Sequence, residues 1–415
     1  MLPMNLRPAM LASLLLLLAI PARSDPVDLL FDQSQLHDVV ITMSDADWSR
    51  LRATYLENTN YDVTIMIDGE IVANSTIRSR GSATRNPVKP GLRVDFNRKV
   101  KSQTFRGFKT LVLDNMYNDA SFLREQLAFA VFGEMGIRVP RESYARLTVN
   151  GQYWGVYAIV EPVDKIFVTN HVDSGGGNLF EYNVPATAPD QILAWDFSLS
   201  RGQTLAGYVP SPFEPKTNED NLDGTALLAF LRTISEAPDA TFVGEISEFI
   251  DPRVLLTHYA VEVATAEVDG LTSYFGANNF YLYQLEGTRR FLFIPWDHDF
   301  NFVARDHSIY FGMERNRLIG RLLADAELRR FYRETLESIV SGYVNADWMT
   351  PRIDAMVAQI RDSVLEDTKR RGGDQPATSA ATFEDAVARV RTVIAGRRAS
   401  VEAQLSAQRR RSAGH

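Results

Sequence analysis

Asn279 to Phe302 reads NFYLYQLEGTRRFLFIPWDHDFNF, and the rest of the chain is arranged around it. Two apolar runs, Phe280–Leu285 and 291–295, flank Glu286-Gly287-Thr288. Aromatic and apolar residues parted by a Gly-containing turn predict a β-hairpin. The second run ends in Trp296-Asp297-His298-Asp299. Ionised Asp is seldom fully buried without a partner, and a metal ion is one such partner. In extended chain, i and i+2 share a face, so Asp297 and Asp299 are placed to share one hard cation while His298 faces away.

Working outward from this stretch, the polar loop before it holds Asp269, and Pro252–Ala266 reads as a helix capped by Asp251. Residues 171–225, rich in Gly, Pro, Asn and Asp, read as an irregular insertion with a few short strands. Earlier, Tyr144–Val149, Asn150-Gly151 and Tyr153–Val160 form the clearest hairpin, since Asn-Gly is a preferred two-residue turn. It runs out at Glu161-Pro162-Val163. Ser121–Met135 carries apolar residues at helical spacing and contains Glu125. Before it come strands at 39–43, 61–67 and 71–78, the basic loop Arg78-Ser79-Arg80-Gly81-Ser82-Ala83-Thr84-Arg85, and Leu92–Phe96. Alternation puts Arg93 and Asp95 opposite Leu92, Val94 and Phe96. Beyond Arg317 the chain reads as helical, with amphipathic stretches at 323–343, 350–371 and 382–407.

The totals bound the class. The 415 residues include no cysteine. The start, with Arg7, an uncharged run Met10–Ile20 and Pro21-Ala22-Arg23-Ser24, has the three parts of a secretory signal peptide. Its apolar run is short for a membrane span, although an uncleaved anchor is the competing reading. The expectation is an exported chain, periplasmic, cell-surface or secreted, without disulfides and without a membrane span after cleavage. The net charge of −8 has no basic run beside it except Arg409-Arg410-Arg411, which disfavours nucleic acid as a partner.

The order of these parts resembles that of a protein-kinase-like fold: basic Gly loop, strand cation, helix with an acid, hairpin, helix, loop acid, hairpin and terminal acid, where a kinase has its phosphate loop, strand cation, hinge, catalytic acid and metal-binding acid. The usual kinase strings are absent. Arg78-Ser79-Arg80-Gly81-Ser82, then Lys89 to Phe96, Asn150-Gly151-Gln152-Tyr153-Trp154-Gly155-Val156-Tyr157, Asn279–Tyr283 and Pro295–Asp299 resemble the spore-coat CotH kinase family over about residues 30 to 340.

That resemblance implies an α+β, atypical protein-kinase-like fold. Residues 25–163 would form an N-terminal lobe of antiparallel sheet with one helix, and 164–415 a mainly helical C-terminal lobe. It implies an exported enzyme that transfers phosphate from ATP, with Mg²⁺ or Mn²⁺, to Ser or Thr of a secreted or surface protein. Asp269 would be the catalytic-loop acid, Asn279 and Asp297 metal ligands, and Asp299 an assistant. Arg80, Lys89 and Arg93 are candidates to clamp phosphates, and Glu125 to pair with Arg93 or Arg80. Glu161 to Val163 would be the hinge against adenine. A carboxylate is needed to accept the hydroxyl proton, and hard oxygens to hold the metal.

The chain departs from the pattern. Val268 rather than a basic residue precedes Asp269, the gap from Asp269 to Asp297 is long, and Lys89-Pro90 stands where the family often has two lysines. Two other readings compete: a non-catalytic surface or matrix binding protein with a Ca²⁺-type Asp site, and a metal phosphoesterase using Asp297, Asp299 and His307.

Overall fold

Seven segments in which apolar residues alternate or run together close on themselves in the computed structural model, which describes residues 26–183, 186–188, 191–192, 195–274, 276–367 and 380–413. The signal-like start at 1–24 lies outside the described residues. The strands are β1 (Leu36–Thr42), β2 (Tyr61–Ile67), β3 (Glu70–Ser79), β4 (Leu92–Asp95), β5 (Thr110–Asp114), β6 (Glu142–Val149) and β7 (Gln152–Val160). They form a barrel in the order β1-β2-β3-β4-β5-β7-β6. Every neighbour is antiparallel except β1 and β6, whose parallel pairing closes the ring. Closure removes free edges, which an open antiparallel sheet would leave exposed. Asn150 and Gly151 take φ 50° and 76°, the left-handed pair that joins β6 to β7 without splaying them.

The period-two pattern explains the barrel interior. On β4, Leu92 and Val94 are buried and Arg93 is exposed. Ile41, Ile65, Ile77, Leu111, Leu147 and Ile159 join them in one apolar core. Three helices accompany the barrel in sequence: α1 (Pro26–Leu30), α2 (Asp45–Ala53) and α3 (Arg124–Glu134). The Ser44 side chain accepts the Asp47 N–H and starts α2.

After β7 the chain turns into α4 (Lys165–His171), capped by Asp164. Strand β8 (Leu179–Tyr182) follows, then the short pair β9 (Ala186–Ala188) and β10 (Gln191–Ile192), then β11 (Phe213–Pro215). The irregular insertion thus supplies two strands to a second sheet. With β12 (Phe280–Gln284) and β13 (Phe291–Pro295) they are ordered β11-β8-β12-β13. The hairpin pairs Phe280 with Pro295 and Gln284 with Phe291, as the alternation requires.

Helices α5 (Thr225–Glu236), α6 (Phe242–Ile246), α7 (Pro252–Ala264), α8 (Arg317–Ala324), α9 (Ala326–Gly342), α10 (Ala346–Glu366) and α11 (Ala380–Ala413) fill the rest. Asp251 caps α7 by accepting the Arg253 and Val254 N–H groups. A second core gathers Leu256, Tyr259, Val263, Phe280, Tyr332, Ile360 and Val390 around α7 and reaches α3 through Leu127 and Val131. Burying a Leu or Val side chain contributes roughly 1.5–3 kcal/mol, so these two cores dominate folding. Their meeting line is where α3, the end of β5, the loop after α7 and the end of β13 converge.

Candidate active site

Strand β13 ends at Pro295 and delivers Asp297 in a left-handed conformation, φ 57°. Such a backbone is uncommon for a non-glycine residue. It is held by the facing strand: Trp296 N–H donates to Asn279 O at 3.1 Å. The Asn279 side-chain amide donates to Asp297 O at 3.0 Å and to Asp269 Oδ2 at 3.2 Å. One asparagine therefore ties together two acids that are far apart in sequence.

The loop that carries Asp269 is fixed from below. Glu267 Oε1 accepts the N–H of Asp269 at 2.7 Å and of Val268 at 2.9 Å. Glu262, on α7, accepts the Leu271 N–H with both carboxylate oxygens, at 2.9 and 3.1 Å. A Cβ at position 270 would stand 2.3 Å from Glu262 Oε1, so Gly270 is what lets that carboxylate reach the loop.

Burial and crowding of like charge raise Asp269, Asp297, Asp299 and Glu142 here. Asp269 is pushed up to about 7 by burial, then by Glu267 and Asp297, with Asn278 and Asn279 pulling back. Burial and Asp114 push Asp297 up to about 6, against Arg80 and His298. Asp299 lies well above the usual carboxylate range through burial, Asp297, Glu125 and Asp114. Glu142, at the start of β6, is raised by burial and Asp114 and has no hydrogen-bond partner for either oxygen among the described residues. Buried acids that hold one another up form a site short of positive charge.

The barrel supplies an opposing cationic wall. Arg80 Nη1 meets Asp114 Oδ2 at 2.8 Å, and its guanidinium lies 5.8 Å from the Trp296 ring centre. Burial works against its charge, but Asp114 and Asp297 outweigh that and raise its pKa. Arg93 stands across from Arg78 in the β3–β4 register. Burial, followed by repulsion from Arg93, Arg85 and Arg80, brings Arg78 down to about 10. Several guanidiniums gathered at one place suit an anion with several oxygens.

The residues singled out from sequence divide accordingly. Asp269, Asn279, Asp297 and Asp299 come together, with Arg80 above them. Three expectations need correction. Lys89 is not at the phosphate wall: its Nζ is sealed against Asp367 Oδ2 at 2.6 Å and Val156 O at 2.8 Å. Glu125 pairs with neither Arg80 nor Arg93. It accepts the His298 N–H at 3.1 Å instead, because α3 aims it at the backbone beyond Asp297. The Glu161 side chain is held by Arg141 at 2.8 and 2.9 Å and by His171 at 3.0 Å, so only its backbone is left for a hinge role. Val163 packs with Leu179, Tyr281 and Ile294. Asp114 was missed. It ends the apolar run Thr110–Leu113 as Asp297 ends β13, so an acid at a strand terminus was the available signal.

The groups at Asp297 that could hold a cation offer oxygen, the carboxylates of Asp297 and Asp299, with the Oδ1 of Asn279 available because its Nδ2 is taken up by Asp297 O and Asp269. Hard oxygen ligands and an uncompensated negative surface fit Mg²⁺ or Mn²⁺.

A closed barrel carrying arginines over hydrogen-bonded Asp269, Asn279 and Asp297 defines a protein-kinase-like α+β scaffold. The chain belongs to the CotH kinase protein family, whose family model matches residues 77–401. It is 28% identical over 303 residues to the inner spore coat protein H of Bacillus subtilis (strain 168), covering 71% of this chain and 79% of that protein. An invasin, CotH2, of Rhizopus delemar is 27% identical over 166 residues, 38% of this chain and 26% of the invasin.

Proposed function

We propose that this protein is an exported, metal-dependent kinase that transfers the γ-phosphoryl group of ATP to Ser or Thr hydroxyls of a secreted or surface protein. The observation that carries it is the Asn279 bridge between Asp269 and Asp297 beneath the Arg80–Asp114 pair. In this reading 25–163 and 164–415 are the two lobes. Arg80, Arg78 and Arg93 hold phosphate oxygens. Asp297, Asp299 and Asn279 would hold a divalent ion, which neutralises charge on the phosphates. Asp269 orients the attacking hydroxyl and takes its proton; with a pKa near 7 it does so close to neutral pH. The backbone around Glu161 and Val163 meets the adenine.

The names of the relatives, a spore coat protein and an invasin, support a surface or exported location. The signal-like start supports the same reading, and no described helix is long and apolar enough to cross a membrane. The test is transfer of labelled phosphate from ATP, with Mg²⁺ or Mn²⁺, to the chain itself or to co-exported proteins, beside Asp297→Ala. Label in the parent and not in the variant is expected. A parent that neither transfers label nor gains thermal stability with metal–ATP would end the proposal.

A further inference from the structure

The strand reading of 297–299 does not hold, because β13 stops at Pro295 and Asp297 is left-handed, φ 57°; His298 instead follows that turn into the core behind the Asp269 loop, where it is fully buried. There it meets two residues of α7. Glu262 Oε1 lies 3.2 Å from His258 Nε2 and 4.0 Å from His298 Nε2. One ligand atom from each of the three residues lies within 4.8 Å of the others, and all three residues are buried. His258 and Glu262 are four apart on one helix, which places two ligands on one face; His298 brings the third from a distant element.

The surroundings leave polar atoms unsatisfied. Both ring nitrogens of His298, Nδ1 of His258 and Oε2 of Glu267 are buried with no hydrogen bond among the described residues. Two of these atoms, His298 Nδ1 and Glu267 Oε2, face one another, so the atom left without a partner on the side of Glu262 is His298 Nε2; a buried polar atom of this kind is uncommon in a folded protein and marks room for an ion or water. The ring edges of Phe132, 4.9 Å from His258 and 5.1 Å from His298 between centres, make the spot apolar on one side. Nδ1 of His298 faces Glu267 Oε2 at 3.5 Å. A ring nitrogen turned to a carboxylate while the other faces inward is the usual outer arrangement of a metal-bound histidine.

We propose that His258, Glu262 and His298 bind a zinc ion, separate from the divalent ion of the nucleotide site. Two imidazoles and one carboxylate are a zinc ligand set, and imidazole nitrogen disfavours Mg²⁺. Ligands about 2.1 Å from a tetrahedral zinc stand about 3.4 Å apart, so the 3.2 Å pair fits, the His298–Glu262 pair closes by about 0.6 Å, and the two histidine nitrogens, within 4.8 Å of one another, close by up to about 1.4 Å; a water would take the fourth position. The ion's role is structural. Glu262 holds the Leu271 N–H of the Asp269 loop, and His298 adjoins Asp297. Zinc therefore fastens α7, that loop and the end of β13 at a fixed spacing.

The test is the zinc content of the full chain by mass spectrometry, followed by chelation and titration with Zn²⁺ alone. About one zinc per chain is expected, and its return to the chelated protein should raise the melting temperature by about 5 °C or more, with Mg²⁺ alone giving no such rise. His258→Ala and His298→Ala should lose the zinc, while Asp297→Ala keeps it. If those variants do not fold, X-ray absorption on the parent should show two nitrogen ligands and one carboxylate oxygen. A chelated parent that takes up no Zn²⁺, or an Asp297→Ala chain that loses it, overturns the proposal. None of these readings depends on kinase activity.

Discussion

Two cation–carboxylate pairs, one behind the barrel and one at the cleft, use similar chemistry to opposite ends. Lys89 and Asp367 are 1% and 0% exposed, joined at 2.6 Å, and tie β7 to the end of α10. A Cβ on Gly155 would meet Asp367 Oδ2 at 2.0 Å, so the backbone itself makes room for the pair. Arg80 and Asp114 are 20% and 23% exposed, and each also feels Asp297. The sealed pair closes on itself and holds structure in place. The open pair leaves Arg80 facing Asp297 as well as Asp114, while burial and the neighbouring acids hold Asp297, Asp299 and Glu142 high.

The comparison can be broken by substitution. Asp269→Asn should lower kcat by roughly 10²–10⁴-fold while metal–ATP still raises the melting temperature, because a general base is lost and the phosphate wall is kept. Equal loss of nucleotide binding would place Asp269 among the ligands instead. Next in size, Lys89→Ala should cost about 3–5 kcal/mol in denaturant unfolding, since Asp367 is left as an uncompensated buried charge. Replacing both partners with Met and Leu should recover much of that, as apolar groups of similar volume can stand in for a buried pair. Recovery of nothing would mean that the pair does more than fill and neutralise its pocket.

A smaller change is expected at the open pair. Arg80→Ala should weaken ATP binding by about 10-fold or somewhat more, the loss of one charge-assisted contact, with little loss of fold. A stability loss as large as that of Lys89→Ala would erase the distinction drawn between the pairs.

The smallest effect sharpens it through pH. Asp269 and Asp297 have folded pKa values of about 7 and about 6, above the unfolded value of about 4. The folded state therefore binds more protons than the unfolded one. The metal-free protein should lose stability as pH rises from about 4 to about 7. Mg²⁺ or Mn²⁺ should flatten that fall by lowering both values. Activity runs the other way, rising through the Asp269 pKa as the base ionises. A melting temperature that climbs over this range without metal would contradict the cluster of raised acids.

Much of the site was legible because its parts are local. The two hairpins, the Asp-capped α7 and the alternation of Arg93 with Leu92 and Val94 follow from periods of two and 3.6 and from turn chemistry. The strand and loop reading gave the elements that carry Asp269 and Asp297, and the resemblance to the CotH kinase family implied that those two and Asn279 share a site. The few short strands expected within 171–225 are there as β8 and β11, but their positions and their pairing with β12 were not legible, because four- and three-residue strands inside a Gly- and Pro-rich stretch carry too little pattern.

The sequence by itself determined six of the seven barrel strands, leaving out β5 with its terminal Asp114, and the hairpin that delivers Asp297. Only the tertiary structure decided which charge meets which. Lys89 finds Asp367 across 278 positions, Arg80 takes Asp114 rather than Glu125, and His298 meets Glu262 across the core. Secondary structure is set by neighbours along the chain, whereas the partner of a buried charge is set by how a closed barrel and a helical core come to rest on each other. No local pattern encodes that contact.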